Sequence, residues 1–218
     1  MPRLELPSEY RWTKATLPQQ RLSGQADGNA FDFCKSMTAL CSNITRHSPA
    51  FMHIDMSRVL VTAAFSRNRS KHGLQARVTP LRFRDGVLTR RVHGHVYGLQ
   101  RYFIDNREMY YLLTFVLPRF LNQTFEEKLA TVFHELHHIS PAFDGDLRRH
   151  PGRNAFHSDS KSEYHEQMHD FARRYLDDHP AKCAFLRRTF AEYGDLNAVI
   201  VPRPKLFSIS RIGTSHDR

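Results

Sequence analysis

Between Thr124 and Ile139 two separate signals commit the chain to one helix. Thr124-Phe-Glu-Glu127 is a capping box, in which a hydroxyl and a carboxylate satisfy each other's orphaned backbone N–H groups. Phe125, Leu129, Val132, Phe133 and Leu136 then recur on one side at about 100° per residue. Inside this helix stands His134-Glu135-Leu136-His137-His138, a His-Glu-x-x-His run. In a chain of 218 residues with 14 His, such a run arises by chance in roughly 4% of cases.

The wheel separates two faces. His134 and His138 fall at roughly 140° and 180° from Leu129, with Glu135 on the shoulder of the apolar stripe. One side packs and the other presents two imidazoles. Histidines four apart on a helix reach one zinc ion together, and the intervening Glu135 is placed to polarise a water and take its proton. His137 lies beside the stripe and reads as a flanking or packing residue. Zinc is favoured over iron or manganese because imidazole ligation suits it.

A catalytic zinc takes three protein ligands and leaves a fourth position open. His157, in the polar loop ahead of the next helix, is the favoured third ligand, and His165 is the alternative. Asp144, His150, Glu163 and Glu166 are weaker candidates. Asp144 lies six residues after His138, but Pro141 stands where a glycine is needed to turn the chain. Glu163 and Glu166 point away from their helix's apolar stripe.

Around this helix the pattern changes period. Asn29 is placed to cap a first helix over 30–46, with Phe33, Met37, Leu40, Cys41 and Ile44 at helical spacing. Four strands follow over 58–65, 74–83, 92–99 and 109–117, and Asp85-Gly86 suits a hairpin turn. The strand over 109–117 reads equally as core or as an edge beside the active-site helix, open to an added peptide strand. After Pro118 come the helix already described, a second over 162–176 and a third from Pro180 to Gly194. Strands first and helices second predict an α+β domain, with helices packed on one face of a mixed sheet. Residues 1–27 read as an extended or poorly ordered arm, 28–201 as one domain and 202–218 as a basic C-terminal tail.

Composition narrows the class. With 40% apolar and 25% charged residues the chain can bury a core. It has no apolar run near the ~18 residues of a bilayer span, so no membrane association is expected. The first residues lack the apolar segment of a secretory signal, and three dispersed cysteines make no disulfide framework. A cytoplasmic setting is the expectation. The net charge of +10 concentrates between Arg58 and Arg91, where nine basic residues face the single acid Asp85. Such a stretch suits phosphate contacts. It carries the alternative reading, a nucleic-acid-associated binding protein with a structural or vestigial zinc site.

The run from His134 to His138, then His157 and a helix bearing Tyr164, Met168 and Phe171, resembles the SprT-like minimal zincins. The stretch from His138 through Asp144-Gly145-Asp146-Leu-Arg-Arg149 also resembles small predicted metallopeptidases of phages and bacteria. The resemblance covers about residues 110–176. It implies a zincin-like fold with a strand beside the active-site helix, and hydrolysis of peptide or protein substrates by a zinc metallopeptidase. His134, His138 and His157 would hold the metal and Glu135 would act as base. Ser158 stands where the family usually carries a glycine.

Overall fold

A computed structural model describes residues 11–12, 19–21, 30–66, 73–149 and 161–209. The central sheet has three strands, β4 (Val59–Phe65), β10 (Tyr111–Leu117) and β5 (Ala76–Pro80). β10 lies in the middle, parallel to β4 with Tyr111 opposite Val59, and antiparallel to β5 with Leu113 opposite Val78. All seven residues of β10 are buried. Of the two readings of the strand over 109–117, the core one holds, and the edge strand beside the helix Phe125–His137 is β5. Covered on both flanks and both faces, β10 is a continuous apolar run, whereas β5 carries Arg77 and Thr79 among its five residues.

Strand alternation sends successive side chains to opposite faces. Val59, Val61, Ala63, Tyr111, Leu113, Phe115 and Leu117 join one core with the helices. Leu60 and Leu112 turn to a smaller cluster with Leu81, Tyr102 and Met109. Thr62 and Thr114 satisfy each other across β4 and β10 at 2.9 Å. The large core takes Phe33, Met37, Leu40 and Ile44 from α1 (Phe33–His47), and Leu129, Val132, Phe133 and Leu136 from α2 (Phe125–His137). From α3 (Lys161–Asp178) it takes Tyr164, Met168, Ala172 and Tyr175. Each large side chain withdrawn from water in this way contributes about 2 kcal/mol. The described chain is thus a mixed α+β fold. Among the described residues no helix is long and apolar enough to cross a membrane.

Smaller sheets flank this centre. β11 (Leu196–Val199) lies between β2 (Gln19–Arg21) and β3 (Phe31–Asp32), and Ile200 just beyond it bridges to Ala63 of β4. β7 (His95–Leu99) lies between β6 (Thr89–Val92) and β12 (Leu206–Ile209). β8 (Arg101–Ile104) pairs with β1 (Arg11–Trp12) and β9 (Arg107–Glu108).

Several expectations shift. The cap of α1 is Asp32, whose carboxylate accepts the Lys35 N–H at 2.8 Å, while Asn29 lies outside the described residues. Asp85 and Gly86 do turn with positive φ, but β5 and β6 belong to different sheets and form no hairpin there. The tight hairpins instead turn at His93-Gly94 and Asp105-Asn106, where both central residues have the positive φ that such turns require. The third helix stops early. α4 (Pro180–Cys183) gives way to 3-10 turns over Ala184–Arg187 and Ala191–Tyr193, and Gly194 closes them at φ +64°. Lys128 of α2 holds these turns, its ammonium donating to the Leu186 and Arg188 carbonyls at 2.9 and 2.8 Å. Within the expected basic tail, β12 forms a strand on β7.

Candidate metal centre

The capping box forms as its residues predict. The Thr124 hydroxyl accepts the Glu127 N–H at 3.2 Å, and the Glu127 carboxylate accepts the Thr124 N–H at 2.8 Å. Glu126 and Glu127 also complement the positive end of the helix. With the start fixed and the apolar stripe buried, the opposite face is set three turns later. There the rings of His134 and His138 meet nearly edge to face, with their Nε2 atoms 2.9 Å apart. Tetrahedral zinc bound at about 2.0–2.1 Å spaces two ligand nitrogens about 3.3 Å apart, so a small ring rotation admits the ion. The donor pair fits zinc.

The helix end is clamped from outside. Arg148 donates its backbone N–H to the His138 carbonyl and its Nε–H to the His137 carbonyl, both at 2.7 Å. Ile139 and Leu147 form an antiparallel bridge, so residues 139–147 make a closed loop. The Tyr111 hydroxyl pins that loop to the central strand, donating to the Asp146 carbonyl and accepting the Gly145 N–H. Gly145 has φ +91°, and a Cβ there would collide with the Arg82 side chain, so glycine is required. On the other side Tyr164 of α3 sits among the histidines. Its hydroxyl lies 3.0 Å from His137 Nδ1, and its ring centroid is 5.2 Å from that of His134. His137 is buried, a packing residue as its wheel position indicates.

Glu135 points between α2 and β5. Its Oε2 accepts the Val78 N–H at 2.8 Å, and its carboxyl is buried. Burial disfavours the charged form and pushes the carboxyl up to about 7, against the opposing pull of the Val78 N–H. The Val78 N–H is available because neighbouring rungs, Gln75 to Val116 and Leu81 to Tyr110, use the groups facing β10. In an antiparallel ladder the intervening residues then turn their backbone outward. A cavity of about 310 Å³ opens beside this edge, lined by Gln75, Ala76, Glu127, His134, Glu135 and His165 among others.

Neither a protein-family model, a curated protein nor a solved structure matches this chain. The geometry therefore carries the functional reading.

His157, the favoured third ligand, lies outside the described residues, as does His150. Among the described residues no third His, Cys, Asp or Glu joins His134 and His138. His165 lines the same cavity, yet its Nε2 is directed at His169 Nε2, 3.0 Å away. Asp144 caps the Asp146 N–H in the loop beyond α2, and Glu163 and Glu166 are exposed on α3. Among the described residues the basic stretch does not form one free stripe. Arg82 is paired to Glu108 at 2.7 Å with Arg101 on the same carboxylate, Arg58 lies over the Tyr110 ring, and Arg90 and Arg91 are exposed. Arg67, Arg69 and Lys71 lie outside the described residues.

Three site residues escaped the sequence reading: Val78, Arg148 and the hydroxyl of Tyr164. Tyr164 was legible as part of a buried stripe but not as a neighbour of His137. Val78 acts through its backbone, which no side-chain pattern encodes.

Proposed function

We propose that this chain is a zinc-dependent metallopeptidase of zincin-like architecture. His134 and His138 hold the metal with His157 as third ligand, and Glu135 is the base. The observation that carries this reading is the convergence of the two Nε2 atoms on the helix whose buried carboxyl, Glu135, is held by the edge strand β5. Zinc, when bound there, acidifies water and polarises a carbonyl.

The chain's own groups supply the rest. The outer edge of β5 turns the Ala76, Val78 and Pro80 carbonyls away from β10, with the Val78 N–H held by Glu135 and none on Pro80. These carbonyls would align an extended peptide along the cavity. Glu135 has a carboxyl balanced between charged and neutral forms near pH 7, as a group that takes and returns protons must be. With Oε2 held by Val78, Oε1 is the atom left to take the proton from water. Water oxygen adds to the carbonyl carbon, the C–N bond breaks, and the proton passes from Glu135 to the leaving nitrogen. Tyr164 and Arg148 hold the imidazoles and the helix end in place.

The test is hydrolysis of a fluorogenic peptide library by the zinc-loaded chain. Glu135→Gln is expected to lower kcat/KM by about 10²–10⁴-fold with zinc content unchanged. His138→Ala is expected to lose both zinc and activity. Equal activity of Glu135→Gln and parent, or a parent that binds no zinc after reconstitution, would overturn the reading.

A further inference from the structure

A second histidine pair, on a different helix, repeats the arrangement of the first. His165 and His169 lie four apart on the side of α3 that borders α2, with ring centroids 4.5 Å apart and Nε2 atoms facing at 3.0 Å. His165 is exposed and His169 half-buried, so an ion and its waters reach both. The pair sits at the junction of two depressions. His165 lines the cavity beside Glu135, and both histidines line an apolar groove of about 420 Å³ between α2 and α3.

We propose that His165 and His169 form a second metal site, separate from the first, for a borderline divalent ion such as zinc, bound by two imidazoles and completed by solvent. Both nitrogens belong to one 18-residue helix, so the chelate needs no loop ordering to form. The groups facing it are mixed: Glu127 and Asp170 favour a cation, while Arg173 opposes it and is itself paired to Asp170. Two protein ligands make a weaker site than three, so, on the proposed reading of the first centre, this ion exchanges while one held by His134, His138 and His157 stays.

The arrangement also assigns His165. As a third ligand of the first centre, His165 would act without His169. As half of this chelate, each is useless without the other.

The experiment is a calorimetric titration of the metal-free full-length chain with zinc, followed by thermal melts at each loading. The parent is expected to bind in two steps, a tight one and a weaker one, and saturation of the weaker step raises the Tm. His165→Ala, His169→Ala and His169→Gln should each abolish the weaker step and its Tm increment, leaving the tight step unchanged. His138→Ala should do the reverse. Circular dichroism reports whether each variant retains its helix content. A weaker step that survives His169→Ala, or one absent from the parent, overturns the proposal and leaves the pair as an N–H···N hydrogen bond. Loss of the tight step in His165→Ala but not in His169→Ala also overturns it, and moves His165 to the first centre. A parent lacking the tight step but keeping a weaker one that both histidine variants abolish would sink the metallopeptidase reading and leave this site standing.

Discussion

Glu135 makes a prediction that needs neither metal nor substrate. Unfolded, its carboxyl titrates near 4.5, and in the fold it is pushed up to about 7. Below the unfolded value both states are protonated and burial costs nothing. As pH rises through the folded value the buried charge costs up to about 3 kcal/mol. Glu135→Gln removes the charge and keeps an acceptor for Val78. In the metal-free chain it is therefore expected to raise the Tm by several degrees at pH 8 and hardly at all at pH 4. Melts followed by circular dichroism at the two pH values decide this, and equal shifts at both would show that the carboxyl is not buried in the charged form.

At the scale of the elements, Lys128 links α2 to the turns after α4. It is buried with its ammonium on two main-chain carbonyls. Lys128→Met keeps the apolar stem but leaves those carbonyls unmatched, and should cost about 2–3 kcal/mol, read as a lower urea midpoint. An unchanged midpoint would mean that the turns do not depend on it. The segment it holds also shows one limit of the sequence. Helices α1, α2 and α3 were legible because a 3.6-residue period is written locally in Met37, Leu40 and Ile44, or in Leu129, Val132 and Leu136. The break after Cys183 was not, because Pro180 and Gly194 bound the segment without marking that it turns 3-10 between them. Strand order is likewise non-local: the alternation of Tyr111, Leu113 and Phe115 shows a strand but cannot say whether it lies at the edge or in the middle. β8 and β9, of four and two residues, are too short to show a period, although Asp105-Asn106 marks their turn. Of the candidate site, the two imidazoles and Glu135 were plain from one helical face. The Val78 contact was hidden because a backbone N–H carries no letter.

For the whole molecule, both ends of the described chain are built into the sheets. Gln19 pairs with Val199, Phe31 with Leu196 and Val96 with Ile209, and Cys34 Sγ accepts the Val199 N–H. A chain ending at Gly194 lacks β11 and β12, and is expected to lose cooperative unfolding and to be cut rapidly by added protease. Cooperative melting of that truncated chain would show β11 to be dispensable. The position of β11 between β2 and β3 also sets an order in time. β2 and β3 have no strand partner until β11 leaves the ribosome. At synthesis rates of roughly 5–20 residues per second that delay is roughly ten to forty seconds. Through that interval their unpaired edges are open to whatever other chain is near.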